Sequence, residues 1–283
     1  MLRRAGAPRP CRDYARTVGC VIPTLLLFTI VPAIVVAALH YGFRRIVKPE
    51  DLIAHHDVAG FLIAVVGVIY AVVLGFVVIT VWVSFDSAQR TADLEASDAA
   101  ELFSLAGAFP EPSKSRLEHS IADYAFEVRD REWRMLASGS QDARARRLYL
   151  TAVEEIMLRP HKHTSLNDDV DRVPLEERAL ATLHDLSTHR RQRLIDADAR
   201  LPAALYVALV VGAVFVLAFT FLFGVDKVVL QLTMTALITA SMGLLLGVIV
   251  CLDGPYTGPL RVSPAAWTMI IENNNLQEYR TAR

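Results

Sequence analysis

Four long stretches of this sequence contain no charged residue. Asp, Glu, Lys and Arg are absent from Thr17–Phe43, Val58–Phe85, Leu201–Val225 and Val228–Leu252, although they make up 21% of the 283 residues. About 20 apolar residues cross a bilayer as a helix, so each stretch is long enough to span it. With 53% hydrophobic residues, the composition excludes soluble, fibrous and disordered proteins and predicts a membrane protein with four spans.

The sequence also has little of what marks other function classes. Its three cysteines are too few and too scattered for a disulfide framework or a zinc site. A formal net charge of −1 indicates no basic face for nucleic acid. No glycine-rich phosphate loop, serine elbow or His-Glu-x-x-His motif occurs. We therefore expect no enzyme, no cofactor, no metal and no nucleic-acid partner.

The spans are expected to hold no ionisable residue in mid-membrane. Such a residue would by default suggest a functional site, so its absence argues against proton pumping and voltage sensing. Polar side chains concentrate in the fourth stretch, where Gln231, Thr235 and Thr239 recur every four residues on one helical face. Neutral donors can pass an anion by hydrogen bonding, which makes these three candidate pore-lining residues. Interhelical hydrogen bonds are the alternative use.

The distribution of basic residues predicts the orientation. The side of the N-terminus would carry eleven basic residues, and the other side only Arg44, Arg45, Lys48 and Lys227. Because cytoplasmic segments carry the excess, both termini should be cytoplasmic. The predicted layout is a basic cytoplasmic N-terminus (1–16), spans one and two (17–85), a cytoplasmic segment (86–200), spans three and four (201–252) and a cytoplasmic tail (253–283).

The middle segment is predicted to be helical. Its 17 basic and 22 acidic side chains exclude it from the bilayer. No Gly or Pro lies between Val77 and Ala106, so the second spanning helix should continue beyond the membrane. Pro174 suits the first turn of the last helix, on which Asp185 and His189 should pair. The predicted fold class is an all-α membrane protein with four transmembrane helices and a helical cytoplasmic insertion between spans two and three.

Small residues mark two faces for close helix packing. Gly67, Ala71 and Gly75 recur every four residues in the second stretch, and Gly243 and Gly247 form a Gly-x-x-x-Gly step in the fourth. Such residues let helix backbones approach one another closely. The pattern fits packing within the chain and packing between copies equally well.

A turn-rich segment follows the fourth span. Leu252-Asp-Gly-Pro-Tyr-Thr-Gly-Pro-Leu-Arg-Val-Ser-Pro264 contains three prolines and two glycines in 13 residues, a composition typical of rigid turns. Ser263 and Pro264 are expected to start a final helix. We treat five positions of this segment as a post-span motif: Asp253, Pro255, Gly258, Ser263 and Pro264.

These motifs resemble the bestrophin-like domain family of bacteria. The resemblance rests on the segment after span four, on Arg-Leu-Pro-Ala-Ala-Leu-Tyr at 200–206, on Tyr-Ala-Val-Val-Leu-Gly-Phe in span two and on Glu132-Trp133, and it covers residues 58–276. Tyr206 departs from it, because family members often carry Trp there. Bestrophins are pentameric anion channels, so the resemblance implies a homo-oligomer in the inner membrane of a bacterial cell. No bestrophin pore motif or calcium clasp matches these residues.

Two functions remain as hypotheses. The first is an oligomeric anion channel or permeation pathway, whose partners are the lipid bilayer, other copies of the chain and small anions. The second is a non-conducting scaffold or regulatory protein that binds a partner through its cytoplasmic helices. The first requires a closed homo-oligomer, whereas the second allows a monomer or dimer.

Overall fold

A computed structural model describes residues 10–47, 56–138, 140, 142–157, 166–222 and 227–281. Their secondary structure is helical, without a strand, which confirms the predicted all-α class. The helices in chain order are α1 (Pro10–Ile46), α2 (His56–Ala106), α3 (Ser113–Glu127), a π-helical turn (Val128–Glu132), α4 (Trp133–Leu136), α5 (Ala143–Met157), α6 (Leu166–Asp198), α7 (Ala203–Phe221), α8 (Val228–Leu252), α9 (Ala265–Asn273) and α10 (Gln277–Thr281).

Four of these helices are long and apolar enough to cross a membrane, as predicted. Their spanning candidates are Gly19–Ile46 in α1, Gly60–Ala106 in α2, Ala203–Phe221 and Val228–Leu252. Helix α2 runs for 51 residues and ends directly before Gly107. The absence of helix-breaking residues after Val77 accounts for this length.

The chain forms two compact units, of which the first is apolar. This apolar unit contains α1, the part of α2 up to Phe85, α7 and α8. Helix α1 packs along α8. Helices α2, α7 and α8 share a hydrophobic core. Its buried side chains include Tyr70, Leu74, Val77, Leu209, Val216 and Ile249. Large apolar side chains also cover its outer surface, as a lipid-facing or partner-facing protein surface requires.

The second unit, the charged unit, contains α2 from Asp86 onward, α3 to α6 and most of the tail. Alanines at 88, 92, 96 and 99 form a buried stripe on α2, and their small side chains let neighbouring helices approach closely. Helix α3 packs against α5, α9 and α10. The apolar faces of α3 and α6 complete the core with Leu117, Ile121, Leu183 and Leu186.

Two local predictions for α6 are wrong. The helix begins at Leu166, so Pro174 lies inside it and not in its first turn. His189 pairs with Asp98 of α2, with 2.6 Å between Nδ1 and Oδ2, and not with Asp185. A residue four positions away on the same helix shares its face, but at His189 the neighbouring helix supplies the acceptor.

Candidate functional site

The three candidate pore residues lie inside the apolar unit. Gln231, Thr235 and Thr239 are each at most 3% exposed. Gln231 Nε2 lies 2.9 Å from Nε2 of His40 on α1, and Thr235 Oγ1 lies 2.8 Å from Nδ1 of the same ring. The Thr239 hydroxyl donates to the Thr235 carbonyl at 2.7 Å. In the single chain Gln231 and Thr235 therefore join α1 to α8, whereas Thr239 bonds within α8. Lining a pore stays a prediction for all three.

His40 is the ionisable residue that sequence reasoning missed. It lies in the first uncharged stretch, one turn before Arg44, and its side chain is fully buried. Its ring stacks on Phe221 of α7, with 4.4 Å between the ring centroids. The spans therefore do contain a titratable side chain. A polar aromatic residue inside an apolar helix was the available signal, because such residues usually have a buried partner.

The two glycine faces differ in their surroundings. A Cβ on Gly243 would lie 2.1 Å from the carbonyl oxygen of Phe28, and one on Gly247 would lie 3.1 Å from Phe28 Cβ. Gly243 thus allows α8 to contact the backbone of α1, and Gly247 leaves room for the side chains of Phe28 and Leu25. By contrast, a Cβ on Gly67 or Gly75 of α2 would meet nothing within 4 Å, and Ala71 between them is exposed. This α2 face is open in the single chain.

Asp253, the first residue of the post-span motif, joins the end of α8 to the start of α7. One carboxylate oxygen accepts a hydrogen bond from the Leu201 backbone N–H at 2.8 Å, and the other accepts one from the Tyr206 hydroxyl at 3.0 Å. Leu201 precedes a helix and has no intrahelical acceptor for its N–H. The carboxylate supplies that acceptor.

Residues 254–257 and 261–264 of the segment after span four belong to the charged unit, whereas Gly258 belongs to the apolar unit. Gly254 has φ = 76°, a left-handed conformation that favours glycine. Pro255 accepts a hydrogen bond from the Val262 N–H at 2.8 Å, and the Val262 carbonyl accepts one from Trp133 Nε1 at 3.0 Å. The Tyr256 hydroxyl donates to the Ala88 carbonyl at 3.2 Å. The motif and Trp133, which sequence reasoning treated separately, are therefore in direct contact.

The end of the motif starts a helix, as expected, but not the final one, because α10 follows it at Gln277–Thr281. Pro264 stands immediately before α9, and the Ser263 hydroxyl accepts a hydrogen bond from the Ala265 N–H at 3.3 Å. Gly258 lies in the non-helical stretch between Asp253 and the last helices. The turn-rich composition of this stretch thus ends one helix and positions the next.

A buried ion cluster occupies the interior of the charged unit. Arg193 pairs with both Glu95 and Glu132, and Arg190 pairs with Glu132 at 2.6 Å. The Tyr124 hydroxyl donates to Glu95 at 2.5 Å and accepts a hydrogen bond from Arg190 at 3.0 Å. Four segments meet here: α2, α3, the π-helical turn and α6. Two guanidinium groups balance two carboxylates, so the cluster carries no net charge.

Burial and charge shift the pKa values in this cluster. Burial raises the pKa of the Tyr124 hydroxyl well above its usual range, and the neighbouring Glu95 carboxylate adds to the shift. Burial alone would lower the pKa of the Arg193 guanidinium, but the Glu95 and Glu132 carboxylates raise it above its usual range. Both arginines are therefore charged and Tyr124 is protonated at neutral pH, as a hydrogen-bonded ion cluster requires.

No metal-binding group is evident in the part of the chain that the structure describes. Among those residues, no three His, Cys, Asp or Glu side chains lie close enough together to hold a metal ion.

A comparison with family models identifies one family, and two solved structures share the fold. The model of the Bestrophin-like domain matches residues 30–267. A crystal structure of a point mutant of a bacterial bestrophin homologue from Klebsiella pneumoniae superposes with a TM-score of 0.63 and 17% identity, covering 92% of this chain and 98% of that one. A crystal structure described as a membrane protein point mutant gives a TM-score of 0.61 and 15% identity over the same shares. No curated protein sequence matches the chain.

Proposed function

The chain belongs to the bestrophin-like domain family, and we propose that it forms an oligomeric pathway through which small anions cross the membrane. Anion conduction is the general activity of bestrophins, and the chain shares their four-span helical fold. The spans contain no Asp, Glu, Lys or Arg, so selectivity would come from neutral groups along the path and from cations at its ends.

The open face of α2 carries the proposal. Gly67 and Gly75 have free space beside them, Ala71 is exposed, and no residue of 58–85 is charged. Several copies arranged around an axis would enclose a narrow uncharged path between such faces. The interior of a single copy is less suitable for the anion path, because Gln231, Thr235 and Thr239 are buried and hydrogen-bonded there.

Basic residues beside the spans would concentrate anions. Arg200 precedes span three and Arg261 follows span four. Cations near the mouth of a path raise the local anion concentration, and salt screens the effect over about 10 Å at 0.1 M. Anion flux through the protein should therefore saturate at a lower anion concentration when the ionic strength is low.

The test is chloride flux through purified protein in liposomes. Gly75→Leu should reduce the flux, because its side chain enters the space that the α2 faces enclose. Gly42→Leu is the matched control: this glycine of α1 also has nothing within 4 Å, and its replacement should leave flux unchanged. Oligomer size, measured by light scattering, must stay that of the wild type in both variants.

Three outcomes distinguish the possibilities. Full flux in Gly67→Leu and Gly75→Leu oligomers contradicts a path along α2. Flux that is lost in folded Gln231→Leu but kept in Gly75→Leu would instead move the path to α8, as the sequence predicted. Well-folded oligomers that pass neither chloride nor bicarbonate, across a range of pH and calcium concentration, would favour the non-conducting scaffold.

A further inference from the structure

The hydrogen bond between the Gln231 amide and the His40 ring depends on the protonation state of His40. The amide nitrogen of Gln231 faces Nε2 of the ring at 2.9 Å, and an amide NH2 group can only donate. With the amide in this orientation, Nε2 accepts through its lone pair, and the ring proton lies on Nδ1, where it donates to Thr235 Oγ1 at 2.8 Å. The geometry describes a neutral imidazole, with both nitrogens and one ring face in contact with other spans.

A protonated ring would not fit this arrangement. An imidazolium carries N–H on both nitrogens, so Nε2–H would face the amide N–H groups of Gln231 donor to donor. Only a rotation of the amide by about 180°, which turns Oε1 toward the ring, restores the hydrogen bond. The amide orientation seen here therefore fits the neutral ring only, whereas the turned amide fits the imidazolium or the other neutral tautomer.

The surroundings of the His40 ring also disfavour a positive charge on it. Arg44 lies one turn further along α1 and repels an imidazolium. Helix α8 contributes the uncharged Gln231 and Thr235, with Lys227 just before its first residue, and α7 contributes the Phe221 ring. Within the described ranges, no carboxylate faces His40. Burial of the ring makes its charged form costly in free energy.

We propose that His40, Gln231 and Thr235 form an acid-sensitive latch between α1 and α8, closed while His40 is neutral and weakened when it gains a proton. The glycine contacts at Gly243 and Gly247 hold α1 further along the same seam. Acid would therefore loosen α1 at the end nearest Ile46 and leave the rest packed. The latch does not depend on whether the protein conducts anions.

Thermal unfolding in nanodiscs, measured from pH 8 to pH 5, tests the latch. The neutral ring stabilises the folded state, so stability is present at high pH and lost as the pH falls below the ordinary imidazole value of about 6.5. One bound proton changes Tm by about 3 °C for each pH unit in a protein of this size. His40→Gln should lose this dependence, whereas His184→Gln, at an exposed position, should keep it.

Gln231→Glu supplies the decisive second variant. The new carboxylate accepts a hydrogen bond from the imidazolium of His40. The Tm of this variant should therefore stay constant or rise as the pH falls, whereas the Tm of the wild type falls. Hydrogen exchange in residues 36–46 should accelerate at pH 5 in the wild type and not in Gln231→Glu. The latch is wrong if His40→Gln keeps the acid-induced loss. If His40→Gln does not fold, a wild-type acid response in Gln231→Glu overturns the latch instead.

Discussion

The carboxylate of Asp253 accepts a hydrogen bond from the Tyr206 hydroxyl at 3.0 Å. This bond explains why an aromatic residue with a polar edge stands at 206. Tyr and Trp each offer one donor on an otherwise apolar ring, the hydroxyl or the indole N–H. The Trp that relatives often carry at this position can therefore serve the same carboxylate.

Tyr206→Phe should destabilise the apolar unit by about 1.5–3 kcal/mol, because the bond it removes has a charged acceptor. Tyr206→Trp should recover most of that loss. Unfolding in detergent, followed by circular dichroism, gives both values. Equal losses for Phe and Trp would show that ring shape matters at this position and the donor does not.

Gly243 and Gly67 form a matched pair of membrane glycines. Gly243→Leu should cost about 1–3 kcal/mol or abolish folding, because its Cβ alone would collide with the Phe28 backbone. Gly67→Leu should leave the stability of a single chain unchanged, since nothing lies within 4 Å of its Cβ. Expression level, Tm and oligomer size in detergent measure the difference.

A smaller oligomer for Gly67→Leu, with unchanged helical content, would assign the α2 face to contacts between copies. Equal tolerance of leucine at 243 and at 67 would contradict the close contact between α1 and α8. Gly247→Leu should behave as Gly243→Leu does, but less severely, because its nearest neighbours are side-chain atoms that can move.

The sequence was sufficient for features that depend on neighbouring residues. Uncharged stretches located the four spans, and the lack of Gly and Pro after Val77 predicted the length of α2. The resemblance at Trp133 and at 252–264 identified the family, although it did not show that these segments touch. Each of these inferences needed only local composition or motif.

Contacts between residues far apart in the sequence could not be predicted from it. His40 meets partners 191 and 195 positions away, and no local pattern links them. The carboxylate of Glu95 could be assigned to Arg193 only by knowing how α2 and α6 face each other. For the same reason His189 was paired with the wrong acid: helical spacing suggests Asp185, but the facing helix supplies Asp98.

We predict that both termini and residues 86–200 lie in the cytoplasm, because eleven basic residues flank one side of the membrane and four the other. Cysteine accessibility in intact cells measures this orientation. A cysteine in place of Asp51 should react with an impermeant maleimide, and one in place of Ser138 should react only after lysis. The reverse pattern would invert the orientation.

The buried ion cluster should dominate the stability of the charged unit. Arg193→Met leaves Glu95 and Glu132 buried without their shared cation, which should cost about 3–5 kcal/mol. Arg178→Met is the control, because it breaks an exposed pair with Glu101 and should cost at most about 1 kcal/mol. Denaturant unfolding, followed by tryptophan fluorescence, compares the two variants. Similar losses in both would mean that the cluster is no more important than a surface ion pair.

Tyr124→Phe tests the same cluster through pH. Because the pKa of Tyr124 is raised in the folded protein, the folded state keeps its proton after the unfolded chain has lost it. Stability is therefore complete below about pH 10 and falls as the pH rises through that value. Tyr124→Phe should lower stability at pH 8 by about 1–2 kcal/mol and show a shallower loss between pH 9 and pH 11. An alkaline loss as steep as that of the wild type would assign the titration to other tyrosines, such as Tyr256, whose pKa burial also raises.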